Sequence, residues 1–354
     1  MTLTVTAGDR ALLVDAARGF ARRELLPAAA RLDHGDREAT HRCWESVCAL
    51  GLDRALLDEE AGGAGLPPGV WLALIEELAA AEAGLALAVA LHALALRALP
   101  PDAAAAVPTG ARWALVPAPA ARDHIVLGAA GADGLVLGGH AGGPPAVLEP
   151  GGDWSVTADP RQLGLRAAPA GVVRSDGAVP PAGVVRGDDA IPPAGVVRGD
   201  DAIPPAGVVR DDDAVPPAPA PAVEALLYAA TAAVAIGIVR RAYELATDYA
   251  ATRHQGGGPI GHYGAVRQML AAMAVRLEAR PRMPAEETDL RAALAAKVAA
   301  SHAAGRTTID AVQVFGGSGY IADSGVEKLM RDAKYCELYP EPNWRARARL
   351  LSAA

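Results

Sequence analysis

Apolar residues recur with a helical period at both ends of this chain, and a stretch broken by proline and glycine separates the two ends. In residues 223–354 the clearest stripe is Val266, Met269, Leu270, Met273 and Leu277, spaced i, i+3, i+4, i+7 and i+11. The pattern predicts a long helix over about residues 223–252 and a second over the stripe. A third is expected over about 287–312, a short one over 326–333 and a last one over 344–351. At the other end, Asp9 is the expected N-cap of a helix carrying Leu12, Leu13, Ala16 and Phe20. Trp44, Val47 and Cys48 repeat the pattern, as do Trp71, Leu74, Ile75 and Leu78. The run EEAGGAGLPPG, residues 59–69, reads as a glycine-rich connection. Helices grouped at both ends argue against a doubly wound parallel sheet, which needs strands and helices in alternation.

Residues 100–222 read differently. HIVLGAAG, GLVLGG and PAVLEPGG are short β-prone pieces bounded by turn residues, so a small β domain is expected. It holds a tandem repeat of period 12 over residues 171–218: GVVRSDGAVPPA, GVVRGDDAIPPA, GVVRGDDAIPPA and GVVRDDDAVPPA. Each copy offers a β-prone VVR, an Asp/Gly turn and a Pro-Pro stop. So short a unit has too little apolar surface to stack as a solenoid. Extra edge strands and an extended polyproline-like loop both remain open, as does a surface insertion with no role of its own.

Composition narrows the function classes. The chain has 354 residues and a net charge of -8, without Lys/Arg blocks, which excludes phosphate-backbone binding as its main activity. At 51% hydrophobic residues it is not a disordered chain. Aromatics are only 4%, so Ala, Leu and Val must fill the core. Three scattered cysteines, Cys43, Cys48 and Cys336, make no disulfide framework; buried thiols in a reducing cytoplasm are expected. The first 20 residues lack a charged segment followed by an apolar one, so no signal peptide is expected. Residues 83–99 are the most apolar stretch, yet His92 and Arg97 interrupt it, and a buried helix is expected rather than a bilayer span.

Two segments carry candidate chemistry. RHQGGGPIGHYGAVRQMLAAM, residues 253–273, puts Arg253 at a helix end before a glycine-rich break, where charge and open backbone suit a phosphate. A plain helical corner with a solvated Arg is the alternative. QVFGGSGY, residues 313–320, pairs Gln313, a donor and acceptor for a base edge, with Gly316 and Gly317, which allow close backbone approach. A helix C-cap and turn explains the same residues.

In order, these segments resemble the acyl-CoA dehydrogenase family. Its R-x-x-F-G-x-P-I turn, F-Q-A-V-Q-x-x-L-A-D-M helix and Q-x-x-G-G-x-G-Y turn are met by Arg253, Gly257, Pro259, Ile260, Ala265, Val266, Leu270, Ala271, Met273, Gln313, Gly316, Gly317, Gly319 and Tyr320. RDAKYCELYP, residues 331–340, follows in place of the family's R-D-A-K and Y-E-G-T. FARRELLPAAARLD, Trp44, GLDRALLDEEAGGAG and Glu77 agree in the first block. The resemblance implies an α-helical N-terminal domain (residues 1–99), a reduced middle β domain (100–222) and a C-terminal four-helix bundle (223–354). It also implies a homodimer or homotetramer, an acyl thioester substrate carried by CoA or a carrier protein, and FAD at a subunit interface with Arg253, Gln313, Gly316 and Gly317 as its binding residues.

The departures from the family pattern bear on activity. The family base is the Glu of Y-E-G-T; here Pro340 follows Tyr339, and Glu341 comes one residue late. Some members place the base near the start of the first C-terminal helix. The aligned position here is about Leu227, with Glu224 one turn earlier. Glu341 is the first candidate base and Glu224 the second. Gly256 and Gly264 replace side chains that contact FAD in the family, and the W-x-T loop against the flavin ring has no counterpart between WALVPAPA and ARDHIVLGA. Trp154 reads as part of a surface turn. FAD is therefore expected to be weakly held or absent. Three functions follow: a non-redox enzyme (cyclisation, elimination or isomerisation) on a thioester or polyketide intermediate of specialised metabolism, an FAD-dependent dehydrogenase with a relocated base, or a non-catalytic subunit of a hetero-oligomer.

Overall fold

The computed structural model describes residues 5–116, 123–137, 146–148, 154–159, 161–175, 184–185, 221–283 and 289–352. Six helices come first: α1 (Ala7–Phe20), α2 (Ala29–Asp33), α3 (Arg37–Ala49), α4 (Pro68–Ala81), α5 (Ala83–Ala98) and α6 (Pro101–Ala106). The cap of α1 is Thr6, not Asp9. Thr6 Oγ1 accepts from Asp9 N at 3.2 Å, and Asp9 Oδ2 accepts from Thr6 N at 3.1 Å, a reciprocal capping box. A five-residue π-helix, Ala21–Leu25, continues α1. Helix α5 is buried over almost its whole length, as its composition predicts. Its His92 Nδ1 accepts from the Trp113 amide at 3.0 Å, fixing the middle of α5 to the first strand.

Among the described residues, the middle region holds two small sheets. One has the order β1 (Trp113–Val116), β3 (Gly134–Leu137), β4 (Ala146–Leu148), β7 (Val184–Val185); the other has β2 (Asp123–Val126), β6 (Gly171–Ser175), β5 (Trp154–Ala158). Trp154 is thus a strand residue, paired with Ser175, rather than part of a turn; WSVTA alternates like a strand and finds GVVRS as its antiparallel partner. The first repeat supplies β6, a central strand. The second supplies Val184–Val185, an edge strand parallel to β4 in the other sheet. The third and fourth copies lie wholly outside the described residues, as does the segment between β1 and β2.

The C-terminal block packs α7 (Pro221–Thr252), α8 (Gly264–Glu278), α9 (Leu290–Phe315), α10 (Val326–Leu338) and α11 (Asn343–Ser352). A short hairpin of β8 (His254–Gln255) and β9 (Gly258–Pro259) follows α7. Helix α9 starts at Leu290, later than expected, because Asp289 caps it through Ala292 N at 2.8 Å. Helix α10 runs five residues past the expected Ala333, since Cys336 is buried and continues its inner face. Helix α7 is a second strongly apolar element, and a longer one than α5. An 18-residue window within Ala222–Thr252 has mean hydropathy 2.0, long and apolar enough to cross a membrane, but 94% of it is buried inside the protein. It is the core helix between α4, α9 and α10.

Close approach of α4 and α7 depends on Gly237. A Cβ there would lie 2.7 Å from both Ala79 Cβ and Glu76 O. Gly237→Ala is therefore expected to destabilise the protein by about 1–3 kcal/mol, although Ala favours a helix by about 1 kcal/mol over Gly. Chemical denaturation of the two proteins checks the sign.

Candidate functional site

The two candidate bases, 117 residues apart in sequence, meet on one guanidinium. Arg349 of α11 donates from Nη2 to Glu224 Oε1 at 2.6 Å and from Nη1 to Glu341 Oε1 at 3.2 Å. Tyr228, one turn after Glu224 on α7, donates its phenol to Glu341 Oε1 at 2.8 Å and accepts from Arg349 Nη1 at 2.8 Å. Arg345 Nε lies 3.4 Å from Glu341 Oε2. Glu224 and Tyr228 are buried, and Glu341 is half-buried. Burial and the neighbouring Glu341 carboxylate push the Tyr228 phenol well above its ordinary range, so it is a neutral donor. The arrangement fixes the direction of the Glu341 carboxylate and, among the described residues, leaves its Oε2 with one long ion pair.

The turn bearing Glu341 is held from beneath by Lys297 of α9. Its buried ammonium donates to Glu341 O at 2.7 Å, Glu337 O at 3.1 Å and Asn343 Oδ1 at 2.7 Å. Ser301 and Asn343 hydrogen-bond at 3.0 Å beside it. These bonds cap the end of α10 and seat the bend Tyr339–Pro342. Burial pulls the Lys297 ammonium down to about 8 from 10.5. The folded chain sheds this proton near pH 8, and the unfolded chain keeps it to about 10.5. The unfolded state therefore binds more protons in that window, and stability gains a contribution as pH rises through it. Urea unfolding between pH 7.5 and 10 should show this rise, and Lys297→Met should remove it.

Arg253, Gln313, Gly316 and Gly317 occupy another part of the bundle. Tyr249 stacks on Phe315 with ring centroids 4.0 Å apart, joining the ends of α7 and α9. Arg253 follows α7 and is exposed; Gln313, in the last turn of α9, is exposed too. Gly316 ends α9 with φ +58°, and a Cβ at Gly316 or Gly317 would meet no atom within 4 Å. These four residues present a guanidinium, an amide and open backbone, a set suited to a phosphate or adenine.

Two glycines test the fit of FAD. At Gly256 a Cβ would come 2.3 Å from Tyr263 Oη, because that phenol folds over the hairpin and donates to Gln255 O at 2.7 Å. No side chain fits at 256 unless Tyr263 moves. At Gly264 a Cβ would meet nothing within 4 Å, so the space is open and the side chain that would use it is missing. Arg253, Gln313, Gly316 and Gly317 would hold the phosphate and adenine of FAD, while Gly256 and Gly264 bring no side chain to it.

Sequence reading singled out Glu224, Glu341, Arg253, Gln313, Gly316 and Gly317. It missed Tyr228, Lys297 and Arg349. Tyr228 had a signal, four residues after Glu224 and so on the same helix face. Arg349 and Lys297 had none, because their partners come from other helices. Among the described residues no cluster of His, Cys, Asp and Glu is arranged to hold a metal ion.

Residues 8–99 match the acyl-CoA dehydrogenase N-terminal domain and residues 228–340 the acyl-CoA dehydrogenase C-terminal domain, together more than half of the chain. A cyclohex-1-ene-1-carbonyl-CoA dehydrogenase from Geobacter metallireducens is 44% identical over 121 residues, 32% of each chain. A 3-sulfinopropanoyl-CoA desulfinase from Paraburkholderia xenovorans is 41% identical over 110 residues, 29% of this chain and 28% of that protein. The matched segment thus spans about a third of the length of these curated relatives. Butyryl-CoA dehydrogenase from Megasphaera elsdenii is only 18% identical but has the same fold, with a TM-score of 0.73 over 100% of this chain and 99% of that one. On the two matched domains and the shared fold, the chain belongs to the acyl-CoA dehydrogenase family.

Proposed function

We propose that this chain is a diverged acyl-CoA dehydrogenase-like enzyme that performs acid–base, non-redox chemistry on an acyl thioester, with Glu341 as the base. The thioester is carried by CoA or a carrier protein, and a polyketide-derived acyl group of specialised metabolism suits the reading. The carrying observation is the cluster in which Arg349 and Tyr228 aim Glu341 while Glu224 shares the same guanidinium. A thioester acidifies its α-carbon, because the carbanion delocalises into the carbonyl. Glu341 takes that proton through Oε2, its less committed oxygen; returning it at the γ-carbon of a β,γ-unsaturated acyl group isomerises the substrate, and departure of a β-substituent with its bonding electrons eliminates. Neither outcome changes the oxidation level, so no step passes through a flavin. The misfit at Gly256 and Gly264 supports weak or absent FAD. One relative's name, a desulfinase, is that of a reaction other than dehydrogenation.

A second reading, FAD-dependent dehydrogenation, draws on Arg253, Gln313, Gly316 and Gly317, which stay exposed and open. Assembly as a homodimer or homotetramer accords with the exposed Tyr320, Ile321, Ile309 and Val275. The test of the main reading is solvent exchange: an acyl-CoA incubated in D2O with the protein and without flavin gains deuterium at the α-carbon, seen by mass spectrometry. No exchange above the protein-free rate, for CoA and carrier-protein thioesters alike, would overturn it.

A further inference from the structure

A cavity of about 30 Å³ lies where α1 and the π-helix Ala21–Leu25 meet α4 and α7, far along the chain from the candidate base. Four guanidiniums line it, those of Arg18, Arg22, Arg240 and Arg241, against the two carboxylates of Glu77 and Glu244. Asp15 also pairs with Arg18 at 2.8 Å and Glu76 lies 3.6 Å from Arg240, so the less matched charge is at Arg22 and Arg241, which share Glu244. Glu77 is fully used: it accepts from Arg18 Nε and Nη2 at 3.0 Å each and from Arg240 Nη1 at 2.7 Å. Arg240 Nη2 turns away to Glu76 O at 3.1 Å.

What remains is incompletely satisfied. Arg240 Nε is buried with no hydrogen-bond partner. Arg22 Nη2, from a side chain that is largely exposed, and Arg241 Nη1, from one mostly buried, both reach toward Glu244, but each stops 3.6 Å from it, beyond hydrogen-bond distance. A buried charged donor without a partner costs free energy, and proteins rarely leave one so. The π-helix adds a second observation. Its wider turn places Ala21 and Arg22 at the cavity, and π-helical turns recur at functional sites.

We propose that this cavity is a binding site for a small inorganic anion of chloride size, held by Arg240 Nε, Arg22 and Arg241. The volume has room for one or two water-sized particles, which excludes a nucleotide or an acyl carboxylate. The anion supplies the acceptor that Glu244 is too distant to be, and it ties the N-terminal helices to the core helix α7. The inference is independent of the proposed acid–base chemistry.

Thermal unfolding of the full chain in sodium chloride and in sodium gluconate, at matched ionic strength, tests it. The midpoint should rise in chloride by roughly 3 °C for each tenfold increase above the dissociation constant, and not in gluconate. Arg241→Gln should remove the chloride-specific rise. Anomalous diffraction from crystals grown in bromide gives a readout that needs no variant, with a peak expected beside Arg240 Nε. Equal midpoints in the two salts, or water in place of bromide in the cavity, would overturn the proposal.

Discussion

Glu341→Gln is expected to lower α-proton exchange from an acyl thioester by at least ~100-fold, the usual worth of a positioned general base. The amide keeps the shape of the carboxylate and can still accept from Tyr228, so the unfolding midpoint should move little by comparison. Glu224→Gln should cost less than ~10-fold, because Glu224 is spent on Arg349 at 2.6 Å and reaches Glu341 only through that guanidinium. Tyr228→Phe removes the 2.8 Å bond that aims the base and should fall between the two. Full activity in Glu341→Gln would remove Glu341 as the base, and loss of activity in Glu224→Gln alone would transfer the role.

Lys328→Met is expected to destabilise the protein by about 3–5 kcal/mol, the range for stripping one partner from a buried ion pair. Lys328 Nζ lies 2.6 Å from both Glu82 and Asp332, and all three side chains are buried. Glu82 caps α5 by accepting from Leu85 N at 2.5 Å, and Asp332 accepts from Leu165 N at 2.6 Å, so neither carboxylate can leave. Without the ammonium, two negative charges would share a dry junction of N-terminal, middle and C-terminal segments. Burial opposes the charge on Lys328, but Asp332 and Glu82 outweigh it and raise its ammonium above the ordinary lysine range. This contribution is fully present below about pH 10.5 and fades as pH rises above it. Combining Lys328→Met with Glu82→Gln and Asp332→Asn should restore much of the loss, since no uncompensated charge remains. Denaturation midpoints of the single and triple variants check both statements.

Much of the helical architecture was legible because apolar spacing and glycine breaks are local signals. The stripe from Val266 to Leu277 fell on α8, although only Met273 is fully buried there. Boundaries were less legible where a cap outside the apolar run decides them, as Thr6 and Asp289 do. Trp154 was misread because a strand is recognised by its partner, and GVVRS lies more than a dozen residues downstream. In the candidate site, the acidic residues could be named from their motif positions. Their convergence on Arg349 could not, since it depends on how α7 and α11 pack. The misfit at Gly256 was half visible: the missing aromatic could be read, but not the phenol of Tyr263 in its space.

The most direct measurement is the absorbance spectrum of the purified protein between ~350 and ~500 nm, before and after incubation with FAD and removal of the excess, followed by thioester assays on the same sample. No retained flavin band is expected, together with α-proton exchange that requires Glu341. A stoichiometric flavin band, bleached by an acyl thioester as an electron acceptor is reduced, would contradict it.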